Sequence, residues 1–146
     1  MSGTYIPPAL RQQIKERAVG CCEYCHVHDS DVLLPHQPDH IIAEQHGGET
    51  TAANLALACV HCNRHKGPNI ASIDSISGQL TPLFNPRTLA WENHFALEQE
   101  HILPLTAVGR VTVQLLGLNH PDRLQVRQAL IEAGRYPQVS QKPGFV

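Results

Sequence analysis

Aromatic side chains are scarce in this chain of 146 residues: it holds one Trp, three Tyr and three Phe. A core built from such a composition is expected to be mostly aliphatic. No apolar run approaches the roughly 20 residues needed to cross a bilayer, which argues against a membrane protein. The opening residues, MSGTYIPPAL, contain no basic stretch followed by an apolar one, so no secretory signal is expected and a cytoplasmic setting is the default. Positive charge is not in excess either. The net charge is -2 with His neutral and the isoelectric point is about 6.5. That balance speaks against a broad, non-specific grip on nucleic acid, unless basic charge is gathered locally. Internal repeats, low-complexity stretches and a clear linker are also missing, so one domain over residues 1–146 is expected.

Histidine and cysteine, by contrast, are informative. Ten His residues titrate, bind metal or shuttle protons near neutral pH, although many of them will be plain surface residues. Five Cys stand at positions 21, 22, 25, 59 and 62. Cys22 and Cys25 form one C-x2-C pair, and Cys59 and Cys62 form another, with 33 residues between the pairs. In a chain with no export signal this arrangement reads as a zinc site before it reads as disulfides. Two such turns complete a closed, structural S4 site for Zn2+ that ties two distant segments together. A redox C-x-x-C is the rival, and the matching of the two pairs speaks against it. His61 is a possible substitute ligand that the four-Cys set does not need. Cys21 reads as a small buried apolar residue.

The element pattern is mixed α and β. Ile6, Leu10, Ile14 and Ala18 recur every four residues and predict a helix over residues 7–18, opened by Pro7-Pro8 and ended by Gly20, with Arg11, Lys15, Glu16 and Arg17 facing solvent. Val32-Leu33-Leu34 and Asp39-His40-Ile41-Ile42 read as two short strands of a hairpin. Gly47-Gly48 marks a loop able to pass close to another backbone. A short helix is expected from the second knuckle, fading at Gly67-Pro68. Residues 69–86 read as loop. Short strands are expected near His94 and His101, and helices over 106–116, capped by Thr106, and over 121–133, ended by Gly134.

Between and beside the knuckles run Asp39-His40-Ile41, the Gly47-Gly48 loop, Asn54-Leu55, then Cys59-Val-His-Cys62-Asn63 and Lys66-Gly67. His40 and Asn54 are 14 positions apart, and Asn54 and Asn63 are 9 apart. In this order and spacing the segment closely resembles the HNH endonuclease family. The resemblance implies an α+β fold: a ββα-metal core with its zinc knuckle over about residues 18–70, plus an N-terminal helix and a mixed extension of short strands and two helices over about 71–146. It implies a metal-dependent endonuclease that hydrolyses DNA phosphodiester bonds and leaves 5'-phosphate and 3'-hydroxyl ends.

The chemistry agrees with the residue types. Phosphodiester cleavage needs an activated water, in-line geometry and a holder for charge on the leaving oxygen. His40 suits the general base. Asp39 and the Asn63 side chain offer the oxygen ligands that a hard divalent ion, Mg2+ or Mn2+, prefers. By resemblance Asn54 braces the loop and so orients His40. The third signature position is Asn63 rather than His, as in the family's HNN variants; His65 is the alternative, and the 9-residue spacing favours Asn63. Taken singly, Asp39 and Asn54 also read as turn or cap residues. His36, His46, His61 and His65 read as solvent-facing.

In the second half, LFNPRTLAWENHF and LTAVGRVTVQLLGLN resemble segments that often follow this core in bacterial proteins. Arg64, Lys66, Arg87 and Arg110 are candidate phosphate contacts, since guanidinium forks match phosphate oxygens; a solvated surface or a salt bridge is an equal reading for Arg87 and Arg110. Trp91 and Phe95, at i and i+4, read as core rather than as a base-stacking platform, and His94 as a packed or capping residue. A homodimer is expected if both strands of a duplex are cut. The competing function is a non-catalytic, zinc-stabilised module that binds DNA or protein. It would keep the cysteines without needing Asp39, His40 and Asn63 at this spacing.

Overall fold

The computed structural model describes residues 4–138. It is an α+β structure of four helices and three small antiparallel strand pairs. Helix α1 (Pro8–Arg17) begins behind Pro7, where a missing N–H is harmless, and ends at Ala18. Its predicted stripe is the buried one: Ile6, Ile14 and Ala18 pack with Leu55 and Leu57, with Leu10 at the margin. Strand β1 (Gln37–His40) pairs antiparallel with β2 (Leu55–Ala58), in the register Asp39 to Ala56 and His40 to Leu55. Helix α2 (Val60–Lys66) follows at once, and the three elements make a ββα unit.

The hairpin expected between residues 32–34 and 39–42 does not form. The partner of β1 is β2, whose LALA sequence is buried throughout. Residues 32–34 bend outward instead, with Leu33 fully exposed and Leu34 half-exposed. The preceding turn is fixed by polar contacts. Asp29 accepts from the His36 N–H at 2.7 Å, and the His36 ring bonds Val27 O at 2.8 Å. His36 is therefore buried rather than solvent-facing, and the chain between residues 29 and 36 is looped out.

Two more hairpins and two helices complete the architecture. Strands β3 (Ala71–Ile73) and β4 (Leu80–Pro82) pair within the stretch expected to be loop. Strands β5 (Phe95–Glu98) and β6 (His101–Pro104) form the expected pair. Helix α3 (Ala107–Leu116) starts where the Thr106 hydroxyl accepts from Gly109 N, and α4 (Pro121–Glu132) follows it. The main core joins the ββα unit to this second half, since Tyr24, Ile41 and Ala56 share it with Phe84, Phe95, Ile102, Leu116 and Leu118. It is less aliphatic than the composition suggests. The few aromatics are concentrated there: Phe84 meets Phe95 edge-on at 5.3 Å, Trp91 lies 5.0 Å from Phe95, and Tyr24 meets Phe84 edge-on at 6.4 Å. The predicted core role of Trp91 and the packed, bonded role of His94 are both seen, the latter against Phe84 and the Thr106 hydroxyl.

The β3–β4 turn is held by a charge that hydropathy does not reveal. Asp74 is fully buried and receives a two-pronged contact from Arg110 of α3, at 2.7 and 3.0 Å, as well as Ser77 N at 3.0 Å. The Arg110 hydrogen bonds hold the Asp74 carboxyl well below the ordinary carboxylate range. A depressed carboxylate stabilises the fold at pH above its unfolded value, about 3.9, and that contribution is lost as pH falls toward the folded value. Melting temperatures measured between pH 6 and pH 3 should therefore fall more steeply for the wild type than for Asp74→Asn. Parallel slopes would show that the pair contributes nothing to the pH dependence.

Candidate functional site

β1 and α2 converge on a cleft of about 840 Å³ lined by Asp39, His40 and Asn63, with Arg11, Glu44 and Arg64 among the residues at its edge. The ββα register explains the meeting. Asp39 and His40 end β1, and Asn63 lies one turn into α2, directly after Cys62. Asp39 is buried and His40 half-buried. The Asn63 amide makes no hydrogen bond among the described residues, so its oxygen is available to a ligand in the cleft.

Asn54 lies outside the cleft and grips the loop that leads away from β1. Its side chain accepts from Ile42 N at 2.9 Å and donates to Ile42 O at 2.9 Å and Glu49 O at 2.8 Å. Thr50, the next residue, reaches His40: its Oγ1 lies 2.9 Å from His40 Nε2. Asn54 thus holds the loop that presents the imidazole's partner. Gly48 makes the crossing possible, because a Cβ there would sit 1.6 Å from Ile42 O. The close approach anticipated for the Gly47-Gly48 loop is this contact. Thr50 was not anticipated, and its only signal is its position just beyond the two glycines.

Lys66, a candidate phosphate contact in the sequence, is turned inward. Its Nζ donates to His40 O at 2.8 Å and lies 3.1 Å from Asp39 Oδ2, with the side chain only 2% exposed. The Asp39 approach is an ion-pair contact without hydrogen-bond alignment, so Oδ2 has no hydrogen-bond partner. Burial pushes the Asp39 carboxyl up, and Lys66 offsets this only in part. A buried, under-coordinated carboxylate beside a free amide oxygen is a donor set that fits a hard divalent ion. Arg64 lines the cleft and is exposed. Arg87 and Arg110 are not brought to it. Arg87 pairs with Glu23 and donates to Leu55 O at 3.0 Å, while Arg110 holds Asp74, so both show the salt-bridge arrangement. His65 bonds the backbone of its own helix, His61 O, at 2.8 Å.

Behind the cleft, Cys22, Cys25, Cys59 and Cys62 bring their sulfurs within 4.8 Å of one another, all buried. A zinc ion with Zn–S bonds of about 2.3 Å requires tetrahedral S–S edges near 3.8 Å, and Cys25 Sγ and Cys59 Sγ stand 3.8 Å apart. Backbone N–H groups point at the sulfurs: Cys25 N at Cys22 Sγ, 3.5 Å, and Cys62 N at Cys59 Sγ, 3.4 Å. Burial pushes the Cys22 and Cys62 thiols up, whereas sulfur contacts bring Cys25 down; a cation held at their centre would favour the thiolate form of all four. The donor set fits a structural zinc ion. Cys21 and His61 stand outside the group.

One cation already touches these sulfurs. Arg123 of α4 is 8% exposed and donates to Cys62 Sγ at 3.0 Å, with Cys59 Sγ at 3.8 Å and Leu116 O at 2.8 Å. Burial works against its charge, but the Cys62, Cys25 and Cys59 thiolates outweigh that and favour the charged form. Tyr136, just past α4, donates to Cys25 O at 2.8 Å. The C-terminal segment therefore closes over the knuckle, a role for which nothing in its sequence pattern gave notice.

Residues 22–69, about a third of the chain, match the HNH endonuclease family model. No curated protein and no solved structure matches the chain. The matched segment runs from the first knuckle cysteine to just past α2, and so contains every residue that lines the cleft between β1 and α2, apart from those of the N-terminal segment.

Charged groups that hydrogen-bond to metal ligands tune them, and losing such a partner typically costs 10–100-fold in metal affinity. Arg123→Met should therefore release zinc to a chromogenic chelator at least tenfold faster than the wild type, with Arg123→Lys in between. Equal release rates for a folded Arg123→Met protein would show that the guanidinium is packing alone.

Proposed function

From the premise that residues 22–69 carry an HNH endonuclease domain, we propose that the chain is a metal-dependent nuclease that hydrolyses phosphodiester bonds of DNA. The observation that carries this reading is the convergence of Asp39, His40 and Asn63 on one cleft, against a buried four-sulfur group that fixes α2 relative to β1. In this reading His40 is the general base. Thr50 Oγ1 lies 2.9 Å from its Nε2; in the tautomer protonated at Nε2 that contact leaves Nδ1 with the lone pair to take a proton from water. The Asp39 carboxylate and the Asn63 amide oxygen hold a divalent ion, Mg2+ or Mn2+. That ion, when bound, supplies positive charge for the scissile phosphate and the leaving oxygen.

The remaining roles follow from placement. Asn54 is a positioning residue that fixes the loop bearing Thr50, and so the tautomer and direction of the His40 ring. Arg64 and Arg11, both exposed at the cleft, are the phosphate contacts the geometry favours. The sulfur group holds a structural Zn2+ and takes no part in the reaction. Asn63 is covalently next to one zinc ligand, so its place in the cleft depends on that ion.

The decisive experiment is plasmid cleavage with Mg2+, Mn2+ or no divalent ion, comparing the wild type with His40→Ala. Cleavage should require the ion and fall by about 10²–10⁴-fold in the mutant, the usual worth of a positioned base, with zinc content unchanged. Thr50→Val should lower the rate by less. The ratio of nicked to linear product tells whether one strand or both are cut, and the latter would favour two copies acting together. Absence of cleavage with every ion, or equal cleavage by His40→Ala, would instead favour a zinc-stabilised binding module.

A further inference from the structure

Lys66 is a costly residue in an odd place. It is the last residue of α2, its side chain is 2% exposed, and its ammonium lies between His40 O at 2.8 Å and Asp39 Oδ2 at 3.1 Å. A lysine buried this deeply must be paired, and its partner is the carboxylate that the proposed divalent ion would use. Its Nζ does not reach the open cleft, of which Asp39, His40 and Asn63 form the wall and Lys66 does not. A direct phosphate contact is thereby disfavoured.

We infer that Lys66 is a resident counter-cation of the candidate metal site, supplying beside Asp39 the positive charge that the divalent ion later brings, and setting the affinity for that ion. The inference rests on the reading of Asp39 and Asn63 as the ion's ligands. Two consequences follow from charge and geometry. Without an ion, Lys66 keeps the end of β1 and the end of α2 together, since one ammonium bonds the His40 carbonyl and faces Asp39. With an ion, like charges stand within a few ångströms in a partly buried site, where screening is weak, so the ion binds less tightly than a bare Asp39–Asn63 pair would allow. The site is thus built to be stable empty and to load reversibly.

The test is titration of the zinc-loaded full chain with Mn2+, followed by the free-ion resonance signal, with melting temperatures recorded with and without the ion. The wild type should bind Mn2+ at the cleft and Asp39→Asn should lose that binding. Lys66→Met should bind roughly tenfold tighter, melt lower than the wild type without the ion, and recover more of its melting temperature when Mn2+ is added. Lys66→Arg, which keeps the charge, should stay within about twofold of the wild type. Unchanged or weaker Mn2+ binding by Lys66→Met overturns the inference while leaving the nuclease reading intact, and so does a Lys66→Met protein that Mn2+ at saturation fails to refold. Lack of Mn2+ binding by the wild type removes the ligand assignment itself, and the inference with it.

Discussion

Four buried sulfurs that converge on one point from two distant segments are the constraint on which the rest of this structure depends. Cys22, Cys25, Cys59 and Cys62 are all buried, and they are members of the main core rather than of a peripheral clasp. The 33 residues between the two pairs include both strands of the first hairpin and the loop that Asn54 grips. A cation held at the sulfurs would therefore do more than close a turn. It would fix the beginning of α2 against the knuckle after α1, and through Asn63 and Lys66 what faces Asp39. Small domains with modest apolar content gain most from such a staple, because each ordered residue must be offset against lost chain entropy.

Around that centre the charges form nested pairs. Arg123 reaches the sulfurs from α4, and Arg87 pairs with Glu23, whose carboxylate also accepts from Leu57 N at 2.9 Å. Lys66 meets Asp39 on the cleft side of the same unit. Arg127, 1% exposed, donates to Glu100 O at 2.8 Å and Leu118 O at 2.7 Å, tying α4 to the β5–β6 turn. Each of these cations crosses between elements that are separate in sequence. Removing one partner leaves a buried charge alone, which is why such pairs act as specific joints rather than as general glue.

What could be read in the sequence was what depends on spacing along the chain. The C-x2-C pairs, the positions of Asp39, His40, Asn54 and Asn63, the stripe of α1 and the Thr106 cap are all local or periodic, and local geometry follows from them. Long-range joints carry no such signature. In sequence Lys66 reads as a surface lysine at the end of a helix, and nothing in its neighbours announces a carboxylate 27 positions back. Arg123 is 61 positions from Cys62, and Asp74 is 36 from Arg110. The β3–β4 hairpin was hidden for the same reason: its strands are three residues each, and Asp74 is fixed by a helix far along the chain. The misread hairpin at residues 32–34 shows the opposite error. An apolar triplet suggested a strand, but its backbone was already committed to the turn closed by Asp29 and His36.

The placement of basic residues also resolves the tension between a net charge of -2 and a proposed polyanionic substrate. Of 11 Lys and Arg, five are engaged inside: Lys66, Arg87, Arg110, Arg123 and Arg127. Among the described residues, Arg11 and Arg64 are the cations that line the cleft, and Arg11 is also bonded to Gln37 and Ile6 O. With so few mobile cations at the site, long-range attraction to a phosphate backbone is weak, since each neutralised phosphate contributes separately to affinity and to its salt dependence. In the proposed reading the divalent ion must then do two things at once. It supplies charge for the reaction, and it is also the main local attraction that draws a phosphate into the cleft. A site in which Lys66 stands in for that charge when the ion is away fits the same reading, in which substrate affinity would rise as the ion binds.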